Sequence, residues 1–153
     1  MIVLGIDPGT SCGWALRHPS GAVDSGVWML RPLRHEGGGM RFLRLRCYLR
    51  ELLDKAKPDV VVYEEVRRHM GVDAAHIYGG IVAVISEECE ARKIPYRGVP
   101  VASIKKTATG KGNADKPAML RAGEARWPGY CFLDDNEADA RFCAETAAAE
   151  LFA

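Results

Sequence analysis

The sequence predicts an α/β domain: a five-stranded mixed sheet, three antiparallel strands followed by two parallel ones, flanked by helices. Three observations carry this. Three apolar runs in the first thirty residues are separated only by short turn sequences, which joins them as an antiparallel meander. Two later runs, Val60–Tyr63 and Tyr96–Val99, each follow a long helical stretch, the spacing of strands laid side by side through crossover helices. Finally, 153 residues with 48% apolar content suffice for one continuous core, and no linker or internal repeat divides residues 1–153 into more than one domain.

The first strand is Ile2, Val3, Leu4 and Ile6, and it ends on an acid, Asp7, followed by Pro8 and Gly9. A carboxylate at the end of a core strand is poorly solvated and has to find a cation, a donor or a proton. The local solution is a pair of bonds from the turn amides of Gly9 and Thr10. The functional one is a metal-binding acid, which requires further carboxylates at other element ends. The meander continues through Gly13–Arg17, a turn at His18–Gly21, and Ala22–Leu30, after which Arg31–Gly39 is a basic, glycine-rich loop.

From Met40 to Lys57, Phe42, Leu45, Leu49, Leu52, Leu53 and Ala56 recur at spacings of three and four. This is an amphipathic helix that keeps Arg41, Arg44 and Arg50 mostly outward and stops at Pro58. Val60–Tyr63 is a second buried strand, and it also runs into acid, Glu64 and Glu65. A loop of Arg67, Arg68, His69, Met70 and Gly71 leads to Asp73, read as the N-cap of a helix through Cys89. Gly79 and Gly80 lie inside that helix, where each costs up to about 1 kcal/mol relative to Ala, so a neighbouring helix is expected to approach closely. Tyr96–Val99 is the fifth strand. A short helix, Val101–Thr109, precedes the glycine-rich TGKGNADKP; Lys116 and Pro117 open a helix to about Arg126, Trp127–Gly129 break it, and an alanine-rich helix runs from about Asp135 to Leu151.

Net charge is only +1 and selects no partner, but the charges are segregated. Arg31–Pro58 holds eight Lys/Arg against three acids and Arg92–Arg126 nine against two, whereas Asp134–Glu150 holds six acids and one Arg. That pattern suits a basic surface around a separate acidic pocket. Cys12, Cys47, Cys89, Cys131 and Cys143 are odd in number, scattered and without a C-x-x-C pair, which fits reduced thiols in the cytoplasm and leaves no zinc site. No signal peptide is expected, because no basic region precedes the first apolar run, and no run is long enough to cross a membrane.

Three elements thus deliver carboxylates: Asp7, Glu64 and, near the start of the last helix, Asp139. Phosphodiester hydrolysis with two divalent ions about 4 Å apart calls for such a set. Mg²⁺ suits it, taking a few carboxylates and completing its shell with water and substrate phosphate, and Mn²⁺ is expected to substitute.

GIDPGTSCGWAL at 5–16, VVYEEV at 61–66, AAHIYGGIVAVI at 74–85, PVASIKKTATGKGNADK at 100–116 and DDNEADA at 134–140 follow one another in an order that resembles the RuvC group of Holliday junction resolvases, in the RNase H-like superfamily. The resemblance spans nearly the whole chain, and the short length with the YEEVRRH string is most similar to phage-encoded members. It implies an RNase H-like sheet with Asp7, Glu64 and Asp139 as metal-binding acids, Asp7 bridging two Mg²⁺ ions. It places Lys105 and Lys116 near the scissile phosphate, with Lys116 stabilising developing charge beside the amides of Gly110 and Gly112. Lys106, Lys111, Arg67 and Arg68 are then DNA-binding, and Gly80 falls at the family's dimer seam.

Two positions depart from the family pattern. Asn136 stands where a further acid is usual, with Asp135 and Glu137 beside it. Helical geometry puts both 135 and 136 on the side of 139, so either Asn136 coordinates through its carbonyl or Asp135 takes the role; Asp135 is preferred because a neutral ligand offsets less of a second ion's charge. Arg67 stands where some members carry an aromatic that stacks at the junction centre, and arginine can stack on bases or neutralise phosphates instead. Trp14, Trp28 and Trp127 are read as core or turn packing.

The expected function is a structure-selective endonuclease that cuts four-way DNA junctions by Mg²⁺-dependent hydrolysis, acting as a homodimer that makes paired symmetric nicks. It would work in the cytoplasm, of a bacterial host if phage-encoded. Three other readings stand beside it: a nuclease of the same fold acting on flaps, forks or RNA hybrids; a phosphate-binding ATPase or sugar kinase, which needs a second phosphate loop and a longer chain; and a junction-binding module with a degenerate site, which Asn136 keeps open.

Overall fold

In the computed structural model, which describes residues 1–153, one sheet carries five strands: β1 (Val3–Asp7), β2 (Ser11–Arg17), β3 (Val23–Met29), β4 (Val60–Glu65) and β5 (Tyr96–Pro100). Their order is β3-β2-β1-β4-β5. The first three pair antiparallel and β4 and β5 run parallel to β1, as the short early turns and the later crossover helices require. β2 begins two residues earlier than its apolar pattern does, because Ser11 pairs with Met29.

Alternation along the strands divides the core. Leu4, Ile6, Cys12, Leu16 and Val61 face α1 (Gly39–Ala56) and α2 (Val72–Arg92). Val3, Val60, Val62 and Val99 face the opposite way, toward α3 (Val101–Thr109), α4 (Lys116–Arg126) and α5 (Asp135–Leu151). β1 is buried along its whole length, as a strand covered on both faces must be.

The closeness of α5 to the sheet has a specific cause. An added Cβ at Gly5 would sit 2.5 Å from the Ala140 carbonyl oxygen, and one at Gly13 would run into the Asn136 carbonyl. With alanines at 138, 140, 144 and 147 all buried, the helix backbone itself lies against β1 and β2. The positions of Asp135 and Asp139 near the start of α5 are therefore set by backbone contact.

Helix starts and glycines differ from expectation in two places. Asp73 is not an N-cap: α2 starts at Val72 after Gly71, and Asp73 lies in the first turn, where its charge complements the helix dipole. Gly80 does not lie on an open seam, because an added Cβ there would meet the Phe42 ring of α1; its missing side chain accommodates a neighbour within the chain. Gly79 has nothing within 4 Å of its Cβ position and is exposed.

Candidate active site

β1 and β4 are parallel neighbours, with Ile6 beside Tyr63, so continuing the register one residue sets Asp7 beside Glu64. Both side chains point to the α5 face, since Val62 and Val3, two and four residues earlier, do so. α5 brings Asp135 and Asp139 to the same place, one turn apart.

Asp7 is 8% exposed. Burial, and then the charge of Glu64 and a hydrogen bond with it, hold its carboxyl well above the usual range, with smaller pushes from Asp139 and Asp135. Burial also raises Asp139, to about 7, helped by the charges of Glu64 and Asp135 and opposed by Lys116 and Lys105. Four carboxylates thus repel one another in a poorly solvated site, and relief comes from protons or from cations. No turn amide relieves Asp7: no bond from Gly9 or Thr10 reaches it, and the Thr10 carbonyl accepts from Leu30 N at 2.8 Å.

Asn136 is tied elsewhere. Its Nδ2 donates to Asp134 Oδ2 at 3.2 Å, and that carboxylate also accepts from Ser11 Oγ at 2.7 Å while capping α5 through Glu137 N at 3.1 Å. Asp135, by contrast, acts on both Asp7 and Asp139 and pairs with Lys116 Nζ at 2.7 Å. That hydrogen bond is the main reason the Lys116 ammonium titrates above its ordinary value.

The remaining candidate cations are less uniform. Lys105 lies close enough to act on Asp139, whereas Lys106 lines a surface with Thr146, Ala149 and Glu150, farther along α5. Lys111 shares an exposed groove with Asn113 and Arg121. The Gly110 amide is not free for a phosphate, because it donates to Lys106 O at 2.8 Å in closing α3 with a left-handed φ of 79°; Gly112 keeps an unpartnered amide. Arg67 is exposed and reaches Glu65 at 3.3 Å, and Arg68 is exposed without a partner.

Several residues that shape the site carried no local signal. Tyr78 Oη donates to the Glu64 carbonyl at 2.9 Å and accepts from Val66 N at 3.0 Å, pinning the chain where it leaves the acidic strand. A cleft of about 350 Å³ opens beside it between Pro8–Thr10, Val66, His69 and Tyr78. Glu137, fully buried, accepts from Ser25 Oγ at 2.6 Å, Tyr130 Oη at 2.5 Å and Leu133 N at 2.7 Å. Arg141 donates to the same Ser25 Oγ at 2.7 Å and lies 3.7 Å above the Tyr130 ring.

The donors at the acid group are all carboxylate oxygens, the hard set that fits Mg²⁺ or Mn²⁺, and Lys116 already offers one cation to it. No three His, Cys, Asp or Glu side chains close into a cage by themselves. An open arrangement is what an ion shared with water and substrate needs. No helix is long and apolar enough to cross a membrane.

No family model matches the chain. Among curated proteins, the crossover junction endodeoxyribonuclease RuvC of Brachyspira hyodysenteriae is 28% identical over 149 residues, 92% of this chain and 89% of that one. The protein of the same name from Nitratidesulfovibrio vulgaris is 34% identical over 122 residues, 74% of this chain and 70% of that one. Among solved structures, T. thermophilus RuvC in complex with a Holliday junction substrate superposes with a TM-score of 0.85 at 22% identity, over 99% of this chain and 94% of that one, a likeness that shows the RNase H-like fold. With the sheet order, the acids at the ends of β1 and β4, and a relative one-third identical over most of both lengths, the chain belongs to the RuvC family of crossover junction endodeoxyribonucleases.

Proposed function

We propose that the chain resolves four-way DNA junctions by metal-dependent hydrolysis, as a homodimer whose two sites make paired nicks. The observation that carries this is the meeting of Asp7, Glu64, Asp135 and Asp139 at one end of the sheet, where burial and the neighbouring negative charges raise the carboxyls of Asp7 and Asp139. The names of the relatives, and the junction bound to the T. thermophilus protein, point to the same substrate.

In this reading Asp7, Glu64, Asp139 and Asp135 would together hold the divalent ions, with Asp7, between Glu64 and α5, the acid placed to be shared by both. The ions supply activation of the attacking water and neutralise the leaving oxygen. Tyr78 holds the backbone of Glu64 in place, and the Ser11–Asp134–Asn136 bonds fix the start of α5, so the acids are set before substrate arrives. With a divalent ion bound at Asp135, Lys116 would be free to contact the phosphate. Its side chain is 82% exposed, so the exchange breaks only a solvated ion pair of about 1 kcal/mol or less. Arg67 and Arg68 sit on the loop after β4, where the junction centre falls in this reading.

For the dimer, Gly79 and Ala83 form an exposed, small-residue surface one turn apart on α2, and they take the role that Gly80 cannot fill. The test is cleavage of a labelled four-way junction, a fork and a linear duplex, with Mg²⁺ and then with chelator. Asp7→Asn should lower junction cutting by more than about 100-fold while junction binding persists. Binding without cutting by the unaltered chain favours a junction-binding module, the reading that Asn136 supports; faster cutting of forks moves the substrate within the same fold.

A further inference from the structure

Most arginines of this chain are paired, and of those that are not, Arg68 and Arg121 stand singly whereas three lie close together in sequence. Those on its flanks have acidic partners: Arg17 and Arg126 pair with Glu145, Arg46 with Glu87, Arg92 with Asp54 and Arg97 with Glu150. The side chains of Arg31, Arg34 and Arg41 make no salt bridge and no hydrogen bond; the first two lie in the segment between β3 and α1 and the third in the first turn of α1. Arg31 and Arg34 are exposed, and the Nε of half-buried Arg41 is buried without a partner.

The segment is not a loose loop. Its acid, Glu36, accepts from Leu33 N at 2.7 Å and from Arg44 NH2 at 2.5 Å, so the carboxylate that could neutralise the three arginines is committed elsewhere. Arg41 stands in the first turn of α1, a helix whose start has no side-chain cap and no acid. A cation at that end opposes the helix dipole and lowers helix stability. α4 and α5, by comparison, are capped by Asp115 and Asp134. An arrangement unfavourable for the helix and unpaired in charge is suited to an anion from outside the chain.

Topology places this anion. β3 is antiparallel to β2, which is antiparallel to β1, so β3 ends at the same end of the sheet as Asp7. Asp7 is opposite Gly13 and Gly13 opposite Val27, two strand spacings or about 10 Å. The Leu30 amide then bonds to the Thr10 carbonyl, fastening the start of the segment to the turn that follows Asp7. The acids therefore have Lys105 and Lys116 on the α3–α4 side and these arginines on the α1 side.

We propose that Arg31, Arg34 and Arg41 form a second phosphate-backbone clamp, which grips the DNA arm on the β3–α1 side of the acids while the lysines grip the other. This rests on the junction-cutting function proposed above and adds the surface that holds an arm. A multiply charged phosphodiester backbone fits the span better than a small anion, because the three guanidiniums are spread over eleven residues and two elements.

The test measures junction binding by fluorescence anisotropy in chelator, so that no strand is cut, across a salt series from about 50 to about 200 mM. The triple variant Arg31→Ala, Arg34→Ala, Arg41→Ala should bind more weakly, with a log–log salt slope shallower by about 2–3, close to 0.9 for each lost phosphate contact. Changing the same three residues to Lys should restore most of the slope, whereas Lys55→Ala, at the far end of α1, should leave it unchanged. If the unaltered chain binds and cuts junctions but the triple Ala variant keeps its slope, the clamp is wrong and the function stands. A uniform loss of affinity with the slope intact would also overturn it, as damage to the fold. A chain that binds no branched DNA at all removes both.

Discussion

Asp139 is raised to about 7 by burial and by the charges of Glu64 and Asp135, so the folded, metal-free chain holds a proton that the unfolded chain has released above about pH 4. Between those values the native state binds more protons than the unfolded one. Stability of the metal-free protein should therefore fall as pH rises from about 4 to about 7, and Asp7 pushes in the same direction. Thermal melts in chelator check this, and added Mg²⁺ should stabilise more above that window than below it; a melting temperature that climbs through the window would refute the account. The individual acids were legible because a carboxylate ending an apolar strand is an anomaly that asks for a partner. The choice between Asp135 and Asn136 was not, because both lie on one side of a helix, and neither the bond from Asn136 Nδ2 to Asp134 Oδ2 nor the one from Ser11 Oγ to the same oxygen leaves a trace in the sequence pattern.

At the scale of the element, α5 is held in translation and in roll by different means. Gly5 and Gly13 let its backbone lie on β1 and β2, while Glu137 ties its opposite side to β3 and to the 130–133 loop through Ser25, Tyr130 and Leu133. Glu137→Ala should cost on the order of 3 kcal/mol in urea denaturation, because it strands buried donors and leaves the Arg141 charge without its relay through Ser25. A loss below about 0.5 kcal/mol would mean that the network is incidental. The alanine run of α5 announced a closely packed helix, but the burial of Glu137 did not show: besides Tyr130 and Leu133 nearby, it bonds Ser25, 112 positions away, and no local pattern reports such a bond. Gly80 was legible as a point where a neighbouring helix approaches closely, but not which residue fills it, since Phe42 looked like any other apolar residue of its own helix.

At the scale of the whole molecule, connection lengths carried the topology. Tight turns impose antiparallel neighbours and long helices permit parallel ones, so the strand sense followed from spacing alone. Which glycine packs within the chain did not follow, because an exposed glycine and a packed one look alike until their neighbours are known. Gly79→Arg tests the proposed dimer surface directly: nothing lies within 4 Å of the new Cβ, and the helix gains up to about 1 kcal/mol in propensity. Sedimentation should show the variant as a folded monomer; an unchanged dimer would move the interface to another face.

Trp14, Trp28 and Tyr48 stack in a row, with ring centroids 5.8 and 6.0 Å apart, and Trp14 lies on the bare backbone of Gly26. They occupy the α1 side of the sheet, whereas Trp127 packs on Phe142 of α5 on the other. Indoles at that separation couple their electronic transitions, so the native hairpin has a built-in chiroptical signature in the near ultraviolet. The remaining indole, next to the helix that bears two of the acids, is an independent emitter. The chain thus carries intrinsic chromophores on both faces of its sheet, one reporting the integrity of the scaffold and the other the surroundings of the helix that bears the acids.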